Sequence, residues 1–145
     1  MRAVDTNVLV AAHRAGLPRH AKARAWIRHL AEGSQPWGLP VFALGEFVRV
    51  VTHPRVFDPP STLDQALSAI DILLASPTAR VLSPGRRYPE LFAAACRGAD
   101  ARGNLAFDAQ IAAVCVEHGA SRLLTLDRDF ARFTEIEIVP FDRGP

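Results

Sequence analysis

Short apolar runs alternate with longer segments of helical periodicity along this chain, and this alternation constrains the fold more than any other feature. The strand-like runs lie at residues 2–4, 36–39, 80–82, 122–125 and 137–139. Alternation of this kind is typical of βαβ units, which place parallel strands in one sheet with helices on both faces. We therefore predict an α/β fold, a three-layer α/β/α sandwich with a mostly parallel central sheet.

Capping and breaking residues set the predicted helix boundaries. Thr6 or Asn7 caps a helix after the first strand, and Ser61 or Thr62 caps another that ends before Pro77. Gly33 and Gly119 stand where glycine commonly ends a helix. The other helices are predicted over 19–32, 40–51, 89–101 and 104–118, with a turn and short helix at 127–133.

Length and composition indicate one domain, covering residues 1–145. The hydrophobic fraction is 49% and the mean hydropathy is +0.08, enough for a buried core. Lysine and arginine number 17 and aspartate and glutamate 15, so the net charge is +2. This near-balance argues against a protein that coats nucleic acid by bulk charge.

The chain contains no candidate membrane span. Its longest uncharged stretch, residues 33–45, is interrupted by Pro36 and Pro40 and is too short to cross a bilayer. We see no signal peptide. Cys96 and Cys115 fall in helical patterns without metal-ligand spacing, so we expect free thiols and a cytoplasmic protein.

Acidic residues follow two of the predicted strands. Asp5 ends the first strand, and Asp127 lies just beyond the strand that ends at Thr125. Ligands of parallel α/β sheets bind outside the carboxyl ends of the strands. The competing interpretation is that each acid only caps the helix that follows, and Asp129 competes with Asp127 as the functional acid.

Two more acids lie on helical faces that are otherwise apolar. The neighbours of Asp108 three, four and seven positions on are all apolar, and no basic residue lies one turn away. A carboxylate on a buried stripe needs a partner. Glu46 lies on a largely apolar helix, where an ordinary pair with Arg49 is the alternative explanation.

Convergence of these four acids would require compensation of their charge. Two carboxylates about 5 Å apart repel by roughly 3 kcal/mol at an effective dielectric constant near 20. They either share protons or hold a hard divalent cation, and Mg²⁺ or Mn²⁺ suits a few carboxylates supplemented by water. The five histidines are scattered, which argues against zinc.

Such a site is suited to phosphoryl chemistry on a nucleic-acid phosphodiester. Arginines near the rim would offset the repulsion between the acids and the phosphates. Four candidates for this role are Arg49, Arg55, Arg86 and Arg87.

Four ordered motifs resemble the PIN-domain nucleases, and more narrowly the VapC-type ribonuclease toxins of bacterial toxin–antitoxin pairs. They are Asp5-Thr6-Asn7, Glu46 with Arg49, the run Asp108–Ala113, and the run Thr125–Phe130. The resemblance implies that Asp5, Glu46, Asp108 and Asp127 bind Mg²⁺ or Mn²⁺. It implies supporting roles for Thr6 and Asn7, and it leaves open whether Asp127 or Asp129 is the fourth acid.

The resemblance also implies an activity and partners. The expected reaction is endonucleolytic cleavage of RNA by metal-activated water, leaving a 5′-phosphate and a 3′-hydroxyl. The expected partners are a small cognate antitoxin that occupies the site and a second copy of the chain in a homodimer.

Two other function classes compete with this interpretation. The first is an RNA- or protein-binding module that keeps the scaffold without turnover, against which the intact set of four acids argues. The second is a phosphotransfer domain of receiver or phosphatase type. Asn7 stands where a phosphatase needs a second aspartate, and the single lysine, Lys22, is far too early for a receiver.

Overall fold

The computed structural model describes residues 1–145 and contains one five-stranded sheet. The strands are β1 (Arg2–Val4), β2 (Trp37–Pro40), β3 (Ala79–Leu82), β4 (Arg122–Leu124) and β5 (Glu137–Val139). Their order across the sheet is β3-β2-β1-β4-β5, and all four neighbouring pairs are parallel. The predicted parallel sheet is confirmed.

Six α-helices connect and cover the strands: α1 (Thr6–His13), α2 (His20–Glu32), α3 (Val41–Val51), α4 (Leu63–Leu74), α5 (Tyr88–Ala99) and α6 (Leu105–Glu117). Short 3-10 helices follow at Arg128–Arg132 and Phe141–Arg143, and only the first of these was predicted. No helix is both long and apolar enough to cross a membrane.

The predicted helix ends hold with two corrections. Thr62 caps α4 in a reciprocal capping box with Gln65, as its sequence position predicts. Gly33 ends α2 as predicted, with an ordinary φ of −72°. The residue that caps α1 is Asp5, and neither Thr6 nor Asn7 does so. The fifth helix ends at Ala99, before the predicted Ala101, because Asp100 adopts a left-handed conformation with φ 47°.

The helices form two layers. Contacts join α1 to α2 and α3, and α3 to α4, while α5 packs mainly on α6. Parallel crossovers are right-handed in nearly all proteins. The chain moves from β1 to β3 in one direction and then returns to place β4 on the other side of β1. The first four helices therefore cover one face of the sheet, and α5 and α6 cover the other.

The reversal of strand order between β1 and β4 positions the site. Helices leaving neighbouring strands toward opposite faces open a crevice at the carboxyl edge of the sheet. A cluster of 30 buried residues beneath it includes members of every strand, with Trp37, Leu39 and Leu124 fully buried. The crevice thus lies on a rigid, fully packed support.

Candidate functional site

Asp5 and Asp127 flank the point where the strand order reverses. Asp5 follows β1 in an extended conformation and accepts a hydrogen bond from Thr6 N at 2.7 Å. Asp127 lies three residues beyond the end of β4 and accepts one from Asp129 N at 2.8 Å. Helix capping is therefore confirmed for both acids. It does not exclude a second role, because both carboxyl groups also lie near Glu46 and Asp108.

The Asp5 carboxylate is buried and held in one orientation by three donors. Its Oδ1 accepts from Thr6 N, and its Oδ2 accepts from Asn7 Nδ2 at 2.7 Å and from Thr125 Oγ1 at 2.6 Å. A carboxylate has about four acceptor positions, so Oδ1 retains one. Burial is the main cause that raises the pKa of Asp5 to about 6. The hydrogen bonds from Thr125 and Thr6 oppose this increase, and the charges of Glu46 and Asp127 add to it.

Thr125 connects the two strand ends through one hydroxyl. It donates to Asp5 and accepts from Asn7 Nδ2 at 3.2 Å and from Asp127 N at 3.0 Å. A hydroxyl offers one donor and two acceptor positions, so all are used. Asn7 also accepts from Leu126 N at 3.0 Å. Thr125 and Asn7 thereby fix the backbone after β4 relative to Asp5.

Glu46 projects from the middle of α3 toward α1. Its Oε2 accepts from Thr6 Oγ1 at 3.2 Å, and its Oε1 lies 3.6 Å from Arg49 Nη2. Its side chain is 37% exposed and that of Arg49 66% exposed, so the pair contributes little to stability. The predicted ordinary pair with Arg49 is present, and Glu46 still faces the other acids.

Asp108 has the strongest evidence of convergence. It lies in the first turn of α6, half-buried, and takes part in none of the four ion pairs of the structure. Burial, followed by the nearby charges of Asp5, Asp127, Glu46 and Asp129 in that order, raises its pKa to about 7. Four acids from distant parts of the chain therefore act on one carboxyl group.

An open cleft of about 710 Å³ lies in front of these acids, between α3, α6 and the segment after β4. Its lining residues are Phe42, Gly45, Glu46, Arg49, Asn104, Phe107, Asp108, Gln110 and Asp127. Asp5 lies buried behind it. The structure contains no three acidic, histidine or cysteine side chains close enough together to hold one ion, so the acids do not form a closed coordination shell.

The donor set nevertheless fits a hard divalent cation. The candidate ligands, Asp5, Glu46, Asp108 and Asp127, all offer carboxylate oxygens, and no histidine or cysteine lines the cleft. Mg²⁺ and Mn²⁺ prefer oxygen ligands and retain several water ligands, so a cation of this class does not need a closed protein shell. The pKa values of Asp5 and Asp108 are raised mainly by burial and further by the neighbouring carboxylates, whose charge a bound cation would offset.

The predicted supporting residues divide into those at the cleft and those away from it. Thr6 and Asn7 hydrogen-bond to the acids, and Arg49 lines the cleft. Asp129 is exposed and does not line it.

Three of the four arginines expected near the rim do not line the cleft either. Arg55 lies in the turn after α3, and Arg86 and Arg87 lie in the loop after β3, which the Glu117 carboxylate holds through the amides of Gly85 and Arg87.

Sequence reasoning missed several residues of the site. It gave Thr125 no role, because a threonine at a strand end is common and its partner Asp5 is 120 positions away. It also missed Phe42 and Phe107, which line the cleft. The available signal for Phe107 was its position next to Asp108. Phe107 lies beside the buried face of α6 and not on it, so the core does not require an aromatic ring at this position.

Known proteins resemble this chain in sequence and structure. The PIN domain family model matches residues 2–136. The ribonuclease VapC43 of Mycobacterium tuberculosis is 45% identical over 136 residues, which cover 94% of this chain and 92% of that protein. Two solved structures share the fold. VapBC2 from Rickettsia felis, bound to a promoter DNA fragment, has a TM-score of 0.70 at 17% identity, covering 95% of this chain and 96% of that one. Mycobacterium tuberculosis VapC20, a sarcin–ricin loop cleaving toxin, has a TM-score of 0.66 at 22% identity, covering 94% of this chain and 98% of that one.

Proposed function

The chain belongs to the PIN-domain family, and we propose that it is a metal-dependent endoribonuclease of the VapC type, the toxin of a toxin–antitoxin pair. One observation carries the proposal. Glu46, Asp108 and Asp127 come from distant parts of the chain yet line one cleft, and the buried Asp5 is close enough for its charge to raise the pKa of Asp108. A VapC ribonuclease that is 45% identical over nearly the whole chain supports RNA as the substrate.

We assign the four acids as ligands of Mg²⁺ or Mn²⁺. When bound there, such an ion lowers the pKa of water and neutralises charge that develops on a phosphodiester. The acceptor position left on Asp5 Oδ1 supports this role, since its other positions are used by Thr6, Asn7 and Thr125. Asp127 is the better candidate for the fourth acid than Asp129 because it lines the cleft.

The remaining polar residues of the cleft orient the acids and the RNA. Thr6 fixes the Glu46 carboxylate, and Thr125 and Asn7 fix that of Asp5. Arg49 presents an exposed guanidinium beside Glu46, where it attracts a phosphate of the RNA backbone. The other three arginines, Arg55, Arg86 and Arg87, are left as contacts to parts of the RNA outside the cleft.

Cleavage of RNA by the purified protein tests this function. We expect structured or unstructured RNA to be cut with Mg²⁺ or Mn²⁺ and left intact with EDTA. The Asp108→Asn variant keeps the shape of the side chain and removes one ligand, so cleavage should fall by at least about 100-fold while the circular dichroism spectrum stays unchanged. Undiminished cleavage by Asp108→Asn would reject the site, and binding of RNA without cleavage by the parent protein would favour the catalytically silent module.

A cognate antitoxin is the expected protein partner, and the structural likeness to VapBC2 supports this class of complex. We propose that it covers the cleft and so excludes RNA. An apolar groove of about 380 Å³ between α1, α2 and α4 offers a contact surface outside the cleft, with Ile27, Phe47 and Ile72 on its walls and Arg24 and Arg28 at its edge.

A homodimer and a cytoplasmic location complete the proposal. Leu63, Leu67 and Leu74 lie on one face of α4, each at least 42% exposed, and such a stripe is a candidate contact between two copies. Light scattering of the parent protein and of Leu67→Glu tests this dimer.

Two free cysteines, Cys96 and Cys115, suit a reducing compartment.

A further inference from the structure

An exposed aromatic ring stands beside the acidic cluster. Phe107 lies in the first turn of α6, immediately before Asp108, and it is 60% exposed although it lines the cleft. A single exposed apolar side chain is ordinary on a protein surface. The position of this one matters, because its ring borders the space in which the proposed reaction occurs.

A second ring on the other side of the cleft is held in place by further aromatic residues. Phe42, in the first turn of α3, packs against Tyr88 with ring centroids 5.6 Å apart. Tyr88 stacks on Phe92 at 5.8 Å with an angle of 13° between the rings. This row of three rings restricts Phe42, so little side-chain entropy of Phe42 is lost when a planar group binds beside it.

Polar groups that suit a base edge line the same cleft as the rings and the acids. Gln110 is one helical turn after Phe107 and lines the cleft, as does Asn104 at the start of α6. Both amides carry donors and acceptors. Arg49 lies across the cleft on α3 and supplies positive charge for the backbone.

We propose, on the basis of the proposed function, that Phe107 and Phe42 form a stacking site for one unpaired nucleobase adjacent to the cleaved phosphodiester. Phe107 covers one face of the base, and Phe42 borders the site from α3. The cleft of about 710 Å³ is within the range of about 300–1,000 Å³ that is common for ligand sites.

The chemistry favours single-stranded RNA over a duplex. An aromatic side chain contacts the π-face of a base, which a base-paired helix hides between neighbouring base pairs. Because every base has such a face, stacking gives affinity with little sequence selectivity. The amides of Gln110 and Asn104 are the groups of this cleft able to distinguish one base edge from another.

Abasic RNA tests the stacking site. The cleavage position is first mapped in a short single-stranded RNA, and an abasic nucleotide is then placed at each of the two positions on either side of it. We expect one abasic position to lower kcat/KM of the parent protein by roughly 5- to 150-fold, the range that aromatic stacking on a base supplies. Phe107→Ala should show the same loss on intact RNA and no additional loss on that abasic RNA.

Matched variants separate stacking from simple apolar contact. Phe107→Tyr should retain cleavage close to that of the parent protein, whereas Phe107→Leu, which lacks a ring, should resemble Phe107→Ala. Val56→Ala, at a site 53% exposed but outside the cleft, is the control and should cleave normally. Since Phe107 is largely exposed, its removal should leave the melting temperature nearly unchanged.

A binding measurement supplies a readout independent of turnover. In an Asp108→Asn background, Phe107→Trp places an exposed indole beside the cleft, while Trp26 and Trp37 are buried. Intact single-stranded RNA should quench this new fluorescence, and the RNA that lacks the stacked base should quench it less.

Two outcomes would overturn the stacking site while leaving the proposed function intact. The first is cleavage by Phe107→Ala at the parent rate; if inhibition by the antitoxin is weaker at the same time, the ring contacts that protein instead. The second is a loss of cleavage in Phe107→Ala that adds to the loss caused by every abasic position, which indicates a structural role for the ring. Failure of the parent protein to cut any RNA would instead reject the proposed function.

Discussion

The hydroxyl of Thr125 donates a hydrogen bond of 2.6 Å to Oδ2 of Asp5, across 120 positions of sequence. This bond joins the ends of β1 and β4, the two strands between which the order of the sheet reverses. The acid at the proposed metal site is therefore oriented by a residue of the neighbouring strand end, and the geometry of the site depends on the packing of the whole sheet.

Replacement of Thr125 should affect both stability and cleavage. Thr125→Val keeps the shape but leaves Asp127 N without its acceptor, and it removes one of the two acceptors of Asn7 Nδ2 and one of the three donors to Asp5. An unsatisfied buried group costs about 1–3 kcal/mol, so urea denaturation should show a loss of this order. Cleavage should fall with it.

Thr125→Ser is the control, because it retains the hydroxyl. Its cleavage rate should stay near that of the parent protein. Equal stability and activity in Thr125→Val and the parent protein would show that the hydrogen bond does not position Asp5.

Stability without metal should decrease as the pH rises from about 4 to about 7. The pKa values of Asp5 and Asp108 are about 6 and about 7 in the folded protein, against 3.8 for an unperturbed aspartate. At a pH between the unfolded and the folded pKa, the folded chain retains protons that the unfolded chain has released. Raising the pH through this range therefore favours unfolding. Chemical denaturation in EDTA across this range measures the effect.

Asp108→Asn should flatten this pH dependence, because one of the two groups is removed. A free energy of unfolding that is constant between pH 4 and 7 in the parent protein would contradict the desolvated, mutually repelling carboxyl groups described above.

Added Mg²⁺ or Mn²⁺ should stabilise the protein at neutral pH. A ligand that binds only the folded state contributes about 2.7 kcal/mol at a hundredfold excess over its Kd. The melting temperature should rise accordingly in the parent protein and much less in Asp5→Asn. An equal rise in both proteins would mean that the ions bind elsewhere.

The identity of the fourth acid can be decided by a matched pair of variants. Asp127→Asn preserves an acceptor for Asp129 N and removes a charge from the cleft, so cleavage should fall by at least about 10-fold. Asp129→Asn removes an exposed charge outside the cleft and should leave the cleavage rate within about twofold. The reverse pattern would assign the role to Asp129.

Glu117 should control the order of the loop after β3. Its carboxylate accepts from Gly85 N at 2.7 Å and from Arg87 N at 2.9 Å, and these bonds lower its pKa. Glu117→Gln should speed hydrogen exchange at both amides. The parent loop should loosen in the same way as the pH falls through this lowered pKa. Unchanged exchange in the variant would show that the loop is ordered by other contacts.

Most of the fold and the acids of the site could be predicted from local patterns. The alternation of strands and helices and the capping box at Thr62 are local signals, so they are readable without knowledge of the partners across the sheet. The cap of α1 was assigned to Thr6 or Asn7 because a one-residue shift in a cap changes little in the sequence pattern. Local sequence patterns do not indicate which arginines lie at the rim and which lie elsewhere on the surface. Of the four arginines expected near the rim, only Arg49 lines the cleft.

The sequence by itself determined which residues are candidates for the site: carboxylates at strand ends and a carboxylate on an apolar helical stripe need partners wherever they lie. Only the tertiary structure decided which partners these are. The crossing of the chain back from β3 to β4 puts Thr125 against Asp5, and the packing of α3 beside α6 places Phe42 and Phe107 along one cleft. The physical reason is that local propensity and periodicity act over a few residues, whereas these contacts depend on the register and handedness of a sheet assembled from segments more than 100 positions apart.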